Sequence, residues 1–239
     1  YRKQLSEVAD VVDKIASAYD EVDDPMEAAG LISKRLLDYS TTLDDWAKSI
    51  SRTMITRAGA ADLDVWMKVG KNLSKQTRAL LRGAIGTQFD TLQSAQVELI
   101  KSLPREAAEK VHAWTRDGLD KGQRYQAIAQ RIKSELGADT KARAVCIART
   151  ETARARTNFT RARCEAVGSR YYRWHTVGDG DVRPMHAKLD GTIQRWDDPP
   201  VCDVGRGGIP IRSNPGCVFN CRCWAEPLFE QDLEKLGIK

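Results

Sequence analysis

DVRPMHAKLDG at 181–191 and NPGCVFNCRCWAEP at 214–227 are the stretches on which the reading of this chain turns. The region they bound carries His186 and four of the six cysteines: Cys202, Cys217, Cys221 and Cys223. Just upstream lie CIARTETARARTNFTRAR (146–163), YYRWHTV (171–177) and GDGD (178–181). Aromatic and β-branched residues over 170–177 predict a strand. GDGD predicts a turn, because Gly supplies positive φ and Asp bonds back to the backbone. Asp181 and Arg183 then open a short helix ending at Asp190-Gly191, on which Arg183 and His186, three apart, share a face. Thr192 to Trp196 reads as a strand, and Ile209 to Ile211 as a short one within a segment rich in Asp, Pro and Gly. Cys221 to Leu228 is the last strand, in which Cys221 and Cys223, two apart, point to the same side. A charged tail, 229–239, follows.

Working outward, 139–167 predicts one helix stopped by Gly168. Val145, Ala148, Thr152, Ala155, Phe159, Ala162 and Ala166 form a stripe of mostly small side chains, suited to close approach of another helix. Arg149, Arg156 and Arg163 recur every seven residues along its border. Arg154 and Arg161 point elsewhere, and Glu151 can pair with Arg154. Two readings stay open: a salt-bridged rim on a buried helix, or a basic face in which Arg149, Arg154, Arg156, Arg161 and Arg163 meet nucleic acid or an acidic partner.

The first half is helical throughout. Leu5, Val8, Val12, Ile15 and Tyr19 have amphipathic spacing. Asp24-Pro25 is an N-cap followed by Pro at the first helical position, opening a helix through Leu31, Ile32, Leu36 and Leu37. Thr42 is placed to cap a third helix holding Leu43, Trp46, Ile50 and Met54. A fourth pattern over 62–81 fades at Gly83 and Gly86. A helix then ends near Lys101, Pro104 starts another that stops at Gly118, and Gln123 to Leu136 forms a third closed by Gly137. His112 has no second ligand type near it and reads as an ordinary core or surface histidine.

Composition bounds the class. The 239 residues are 41% hydrophobic and 30% charged, with net charge +5 and a pI near 8.9. This is a globular chain rather than a disordered one. No run approaches the roughly 20 apolar residues of a membrane span, so no membrane partner is expected. YRKQLSEVADV lacks the apolar core of a signal peptide, and the chain opens on Tyr1 rather than Met, which leaves room for a preceding segment. The thiols are expected to be reduced.

His186, Cys217, Cys221 and Cys223 are the right ligand types for zinc, although C-x3-C-x-C is not a zinc-ribbon spacing. The alternative is a small core held by hydrogen bonds from Arg183, His186 and Asp190, with reduced thiols packed inside. Asp181, Arg183, His186 and Asp190 are acid–base types close in sequence. No nucleophile motif, phosphate-cradling loop or H-E-x-x-H helix accompanies them, and no enzyme is expected.

The order of these pieces, from ARTETARA through the strand, Arg183, His186, Asp190-Gly191 and finally Cys221-Arg222-Cys223, resembles the Mu F-like head morphogenesis family of tailed bacteriophages. The motif residues are Arg149, Glu151, Asp181, Arg183, His186, Asp190, Gly191, Cys221 and Cys223. The resemblance covers about the second half. It implies a minor head (capsid) protein that joins the procapsid in the host cytoplasm and lies inside the head near the portal. The portal, the major capsid protein and packaged DNA would be its partners. Relatives in the family look as if they place a Cys-x2-Cys pair where this chain has Arg183 and His186, so the full ligand set is not carried over. The alternative function is a metal-dependent nuclease or toxin-like module on the same domain. The expected fold is α+β: helices over 1–86, a Mu F-like domain over 87–228 (helices 87–167, a small mixed unit 168–228), and the tail 229–239.

Overall fold

The structure, a computed structural model, describes residues 1–21, 24–69, 74–84 and 86–237. In chain order its elements are α1 (Arg2–Ala16), a 3-10 turn (Ser17–Glu21), α2 (Pro25–Thr42), α3 (Asp44–Val69), α4 (Lys75–Gly83), α5 (Gly86–Asp120) and α6 (Tyr125–Ala166). They continue with β1 (Tyr171–His175), α7 (Pro184–Leu189), β2 (Ile193–Arg195), β3 (Val201–Val204), a 3-10 turn (Arg206–Gly208), β4 (Pro210–Arg212), β5 (Trp224–Leu228) and α8 (Glu230–Lys235). The fold is α+β, as expected. No helix among the described residues is long and apolar enough to cross a membrane.

Two compact units divide the chain, each from two separate segments: 1–54 with 93–149, and 55–92 with 150–239. The division drawn at 86/87 follows the chain, not these units.

The first unit is all helix. In α1, Leu5, Val8, Ala9, Val12 and Ala16 are buried, the stripe the spacing predicts. Asp24 caps α2 by accepting from the Glu27 amide at 2.8 Å, with Pro25 at the first helical position. Tyr19 is fully buried, and its hydroxyl meets Thr115 Oγ1 at 2.9 Å and donates to the Pro25 carbonyl at 3.0 Å. Val12, Ile32, Leu36, Val111 and Ile132 anchor one core cluster. Leu5, Val8, Ile100, Leu103 and Ile147 anchor a second.

Four helix boundaries differ from the sequence reading. Thr42 does not cap α3, because its hydroxyl donates back to the Tyr39 carbonyl at 2.8 Å. Pro104 does not start a helix, since α5 runs through it. Proline leaves the Ile100 carbonyl without its amide, and hydroxyls bond the carbonyls on either side of it: Ser102 donates to Leu99 O at 2.9 Å and Ser40 to Lys101 O at 3.0 Å. Gly137 does not close a helix but lies inside α6, where a Cβ would sit 2.3 Å from Asp13 Oδ1. Gly118 likewise stands 2.6 Å, measured from a Cβ position, from Ile128 Cγ1. Both glycines mark close packing, and the chain turns instead at Gly122.

In the second unit β1 is the central strand of an antiparallel sheet ordered β2-β1-β5. Tyr172 and Trp174 of β1 point into a core with Trp66, Leu81, Cys164, Trp196, Cys202, Cys221 and Cys223. β3 and β4 form a separate hairpin, irregular between Val201 and Asp203. Three elements depart from expectation. β3 lies in the Asp/Pro/Gly segment, β5 begins at Trp224 rather than Cys221, and the charged tail opens with α8. The pattern over 62–81 is shared between α3 and α4, with 70–73 outside the described residues.

Arg163 is fully buried in this unit, not on a basic face. Its guanidinium pairs with Asp62 and donates to Leu81 O and Gly59 O, each at 3.1 Å. The heptad spacing placed it with Arg149 and Arg156, but the neighbours that bury it come from a segment some hundred residues earlier in the chain.

Candidate metal centre

α7 has Pro184 at its first position and ends in the Asp190-Gly191 turn, where Gly191 takes φ +74°. Asp190 Oδ1 accepts from the Thr176 amide at 2.7 Å, and the Gly191 amide donates to Trp174 O at 2.8 Å, so both ends of the turn are tied to β1 and the residue after it. This fixes α7 with His186 inward, 2% exposed and edge-on to Trp174 at 5.5 Å.

The opposite wall is the loop 214–223. Its carbonyls and amides are held by one face of α6. Thr157 Oγ1 donates to Pro215 O at 2.7 Å, Arg154 Nη2 donates to Cys217 O at 2.9 Å, and Thr150 Oγ1 accepts from the Asn220 amide at 3.0 Å. Thr150, Arg154 and Thr157 are spaced four and three, hence on one helical face. Arg183 donates to Phe219 O at 2.7 Å. The arginine helix therefore positions the cysteine loop. Gly216 lets the loop pass close to α6, with φ +81° and its Cβ position 3.2 Å from Cys223 O and 3.0 Å from Thr157 Oγ1. Gly216→Ala is expected to cost about 1–3 kcal/mol through left-handed strain, measured by urea unfolding; an unchanged midpoint would mean the loop is not so held.

Three ligand-type atoms converge here. His186 Nδ1 lies 3.5 Å from Cys221 Sγ and 3.4 Å from Cys223 Sγ, and the three groups fall within 4.8 Å of one another. The Gly216 amide donates to Cys221 Sγ at 3.3 Å. Cys202, fully buried on β3, belongs to the same core cluster, and its thiol donates to Ile211 O at 3.6 Å. Cys217, counted with the ligands from its spacing, is not in this group; it is half-buried, and burial pushes its thiol up to about 11. All six cysteines are free.

The sulfurs govern the electrostatics. The nearby Cys202 and then Cys221 sulfurs raise the His186 imidazole to about 9 against the opposing pull of burial. The Cys223 thiol, then His186 and the Gly216 amide, lower Cys221, while Cys221 itself raises Cys223. Such a cluster can hold a proton between imidazole and thiolate, or take a soft divalent ion. The acid–base quartet does not assemble. His186 faces sulfur, and Asp181 is exposed beside Arg222 at 3.4 Å.

Of the remaining arginines, Arg154 pairs with Glu151 at 2.8 Å as expected, and Arg161 with Glu165 at 2.7 Å. Arg149 and Arg156 are exposed and form no salt bridge among the described residues. Glu151 is 2% exposed, and its Oε2 is buried without a partner. Burial raises this carboxyl above its ordinary value, more than Arg154 lowers it. A carboxyl raised by folding favours the folded state while protonated, and that contribution is lost as pH rises past the unfolded value of about 4.3. Glu151→Gln should therefore gain stability relative to the parent between pH values of about 4 and 7. Unfolding curves across that range that stay parallel would contradict it.

Cys202, Thr150, Thr157 and Asp62 were not singled out from the sequence as functional or site-building. The four-and-three spacing of Thr150, Arg154 and Thr157 was a usable signal; nothing local marks Cys202 or Asp62.

Residues 109–226 match the family described as Phage Mu protein F like protein. Residues 109–226 belong to the Mu F-like family. The matched segment contains all of β1 through β4, the α6 face that holds the loop, and the His186–Cys221–Cys223 cluster. The resemblance drawn from the motif order is borne out. An uncharacterized protein of Haemophilus influenzae is 30% identical over 192 residues, 78% of this chain and 40% of that protein. The chain thus spans less than half the length of that relative. No solved structure matches it.

Proposed function

We propose that this protein is a minor head protein of a tailed bacteriophage. It joins the procapsid during head morphogenesis in the host cytoplasm and ends inside the head, near the portal. The observation that carries the reading is the Mu F-like match over 109–226; within that segment His186, Cys221 and Cys223 cluster beside a loop held on α6. Its mechanism is docking rather than turnover: the His186 surroundings are thiols rather than an acid–base set, and the loop beside them is tied to α6 at three points. The portal and the major capsid protein are the partners. Contact with packaged DNA falls to Arg149 and Arg156 among the arginines first considered, because Arg163 is buried and Arg154 and Arg161 are already paired.

The test is co-expression with the portal and major capsid proteins of the same phage, followed by gradient purification of the particles. Co-sedimentation with procapsids, at a copy number that falls when the portal is left out, is the expected result. Absence from every particle fraction would overturn the reading. The nuclease alternative is checked on the same preparation: DNA cleavage present in the parent and lost in a folded His186→Ala variant would replace docking with catalysis.

A further inference from the structure

We propose that His186, Cys202, Cys221 and Cys223 bind one soft divalent cation of the zinc class as a closed structural site. The distances fit. A tetrahedral zinc with bonds of about 2.0 Å to nitrogen and 2.3 Å to sulfur holds those two ligand atoms about 3.5 Å apart. The two separations from His186 Nδ1 are 3.5 and 3.4 Å. These separations suit a sulfur–nitrogen hydrogen bond and equally suit two atoms sharing an ion.

Burial decides the fourth ligand. His186, Cys221 and Cys223 are 2%, 3% and 7% exposed, which leaves no open face for a water. A closed zinc site takes four protein ligands. Cys202 is fully buried in the same core cluster as Cys221 and Cys223, and its strand β3 packs against α7; as it stands, its thiol lies outside the three-atom group and donates to Ile211 O at 3.6 Å. Cys217 sits one residue past Gly216, with its carbonyl taken by Arg154 and its thiol outside the group. In the proposed site Cys202 releases the Ile211 carbonyl to supply the third sulfur, whereas Cys217 would have to leave the loop conformation that α6 enforces.

The surroundings serve the same end. The Gly216 amide aimed at Cys221 Sγ supports the thiolate form that a ligand needs. Thr150, Arg154 and Thr157 fix the loop independently of any ion, so the site is assembled before metal arrives. Binding at such a site staples α7, β3 and the cysteine loop together, three segments spread over 184–223. The inference rests on this geometry and not on the assembly role; either can fail without the other.

The experiment uses the full chain, purified reduced and metal-free, and titrated with Co²⁺ and then Zn²⁺. The expected result is intense thiolate-to-cobalt charge-transfer absorption saturating at about one ion per chain, displaced by Zn²⁺, with a higher melting temperature in the loaded protein. Cys202→Ser, Cys221→Ser and Cys223→Ser should each weaken binding about tenfold or more, while Cys217→Ser leaves it unchanged. Absence of charge-transfer absorption in the parent, or a melting temperature indifferent to Zn²⁺ and to chelator, would overturn the site. Loss of binding in Cys217→Ser with retention in Cys202→Ser would overturn the ligand set. The parent's own titration and chelator response decide the matter even where a serine variant fails to fold.

Discussion

Arg163→Met is expected to lower the unfolding free energy by about 3–5 kcal/mol, the cost of stranding the partner of a buried ion pair. Arg163 is 0% exposed and meets Asp62, Leu81 O and Gly59 O at once. Methionine fills much of the volume but donates nothing, so two carbonyls lose a donor and the Asp62 carboxylate is left in the core with Thr160 as its remaining donor, at 2.6 Å. Burial lowers the Arg163 pKa, yet from a starting value so high that the guanidinium stays charged. Asp62→Leu added to Arg163→Met should recover part of the loss, because an apolar pair replaces an unpaired charge. Urea unfolding of the parent, the two single variants and the double variant measures the coupling. A single-variant loss under about 1 kcal/mol would show that the pair is not desolvated as described.

Trp174→Ala is expected to cost about 3–5 kcal/mol, the range for truncating a large buried aromatic. Trp174 is fully buried at the centre of β1, among Tyr172, Trp196 and the cysteines, with β2 on one side and β5 on the other. Its removal opens a cavity directly against His186, 5.5 Å away between ring centroids. Trp174→Phe should lose less, because most of the ring contact survives. Near-ultraviolet circular dichroism with urea unfolding checks both. Equal losses for Ala and Phe would point to the buried indole N–H, not the volume, as the important feature.

Much of this was legible in the sequence where local chemistry decides. The α1 stripe, the Asp24-Pro25 cap, the GDGD turn and the α7 stop at Asp190-Gly191 all depend on neighbours a few residues away. The errors fall where a distant segment overrides a local signal. Gly137 and Gly118 look like stops because glycine ends helices, but here α1 and the early part of α6 need the missing side chain's space. Pro104 looks like a start, yet a serine from α2 serves the turn before it. At the site, His186, Cys221 and Cys223 were readable from residue type and order. Cys202 was not, because its approach to His186 depends on the hairpin β3–β4 folding back. Arg163 was misplaced for the same reason: spacing shows which residues share a face, not which face is covered.

The discontinuity of the second unit has a consequence for biosynthesis. Its members at 55–92 leave the ribosome long before 150–239, and β1 cannot gain its second neighbour until β5, at 224–228, has been made. Arg163 must find acceptors 82 and 104 residues behind it. Contacts of that sequence separation are slow to form, because a long loop must close before any of them is rewarded. A nascent chain stalled before Trp224 would therefore carry an unpaired edge on β1 and an open aromatic core, both templates for self-association. The order of synthesis, more than the final stability, should set how much of this protein reaches its folded form.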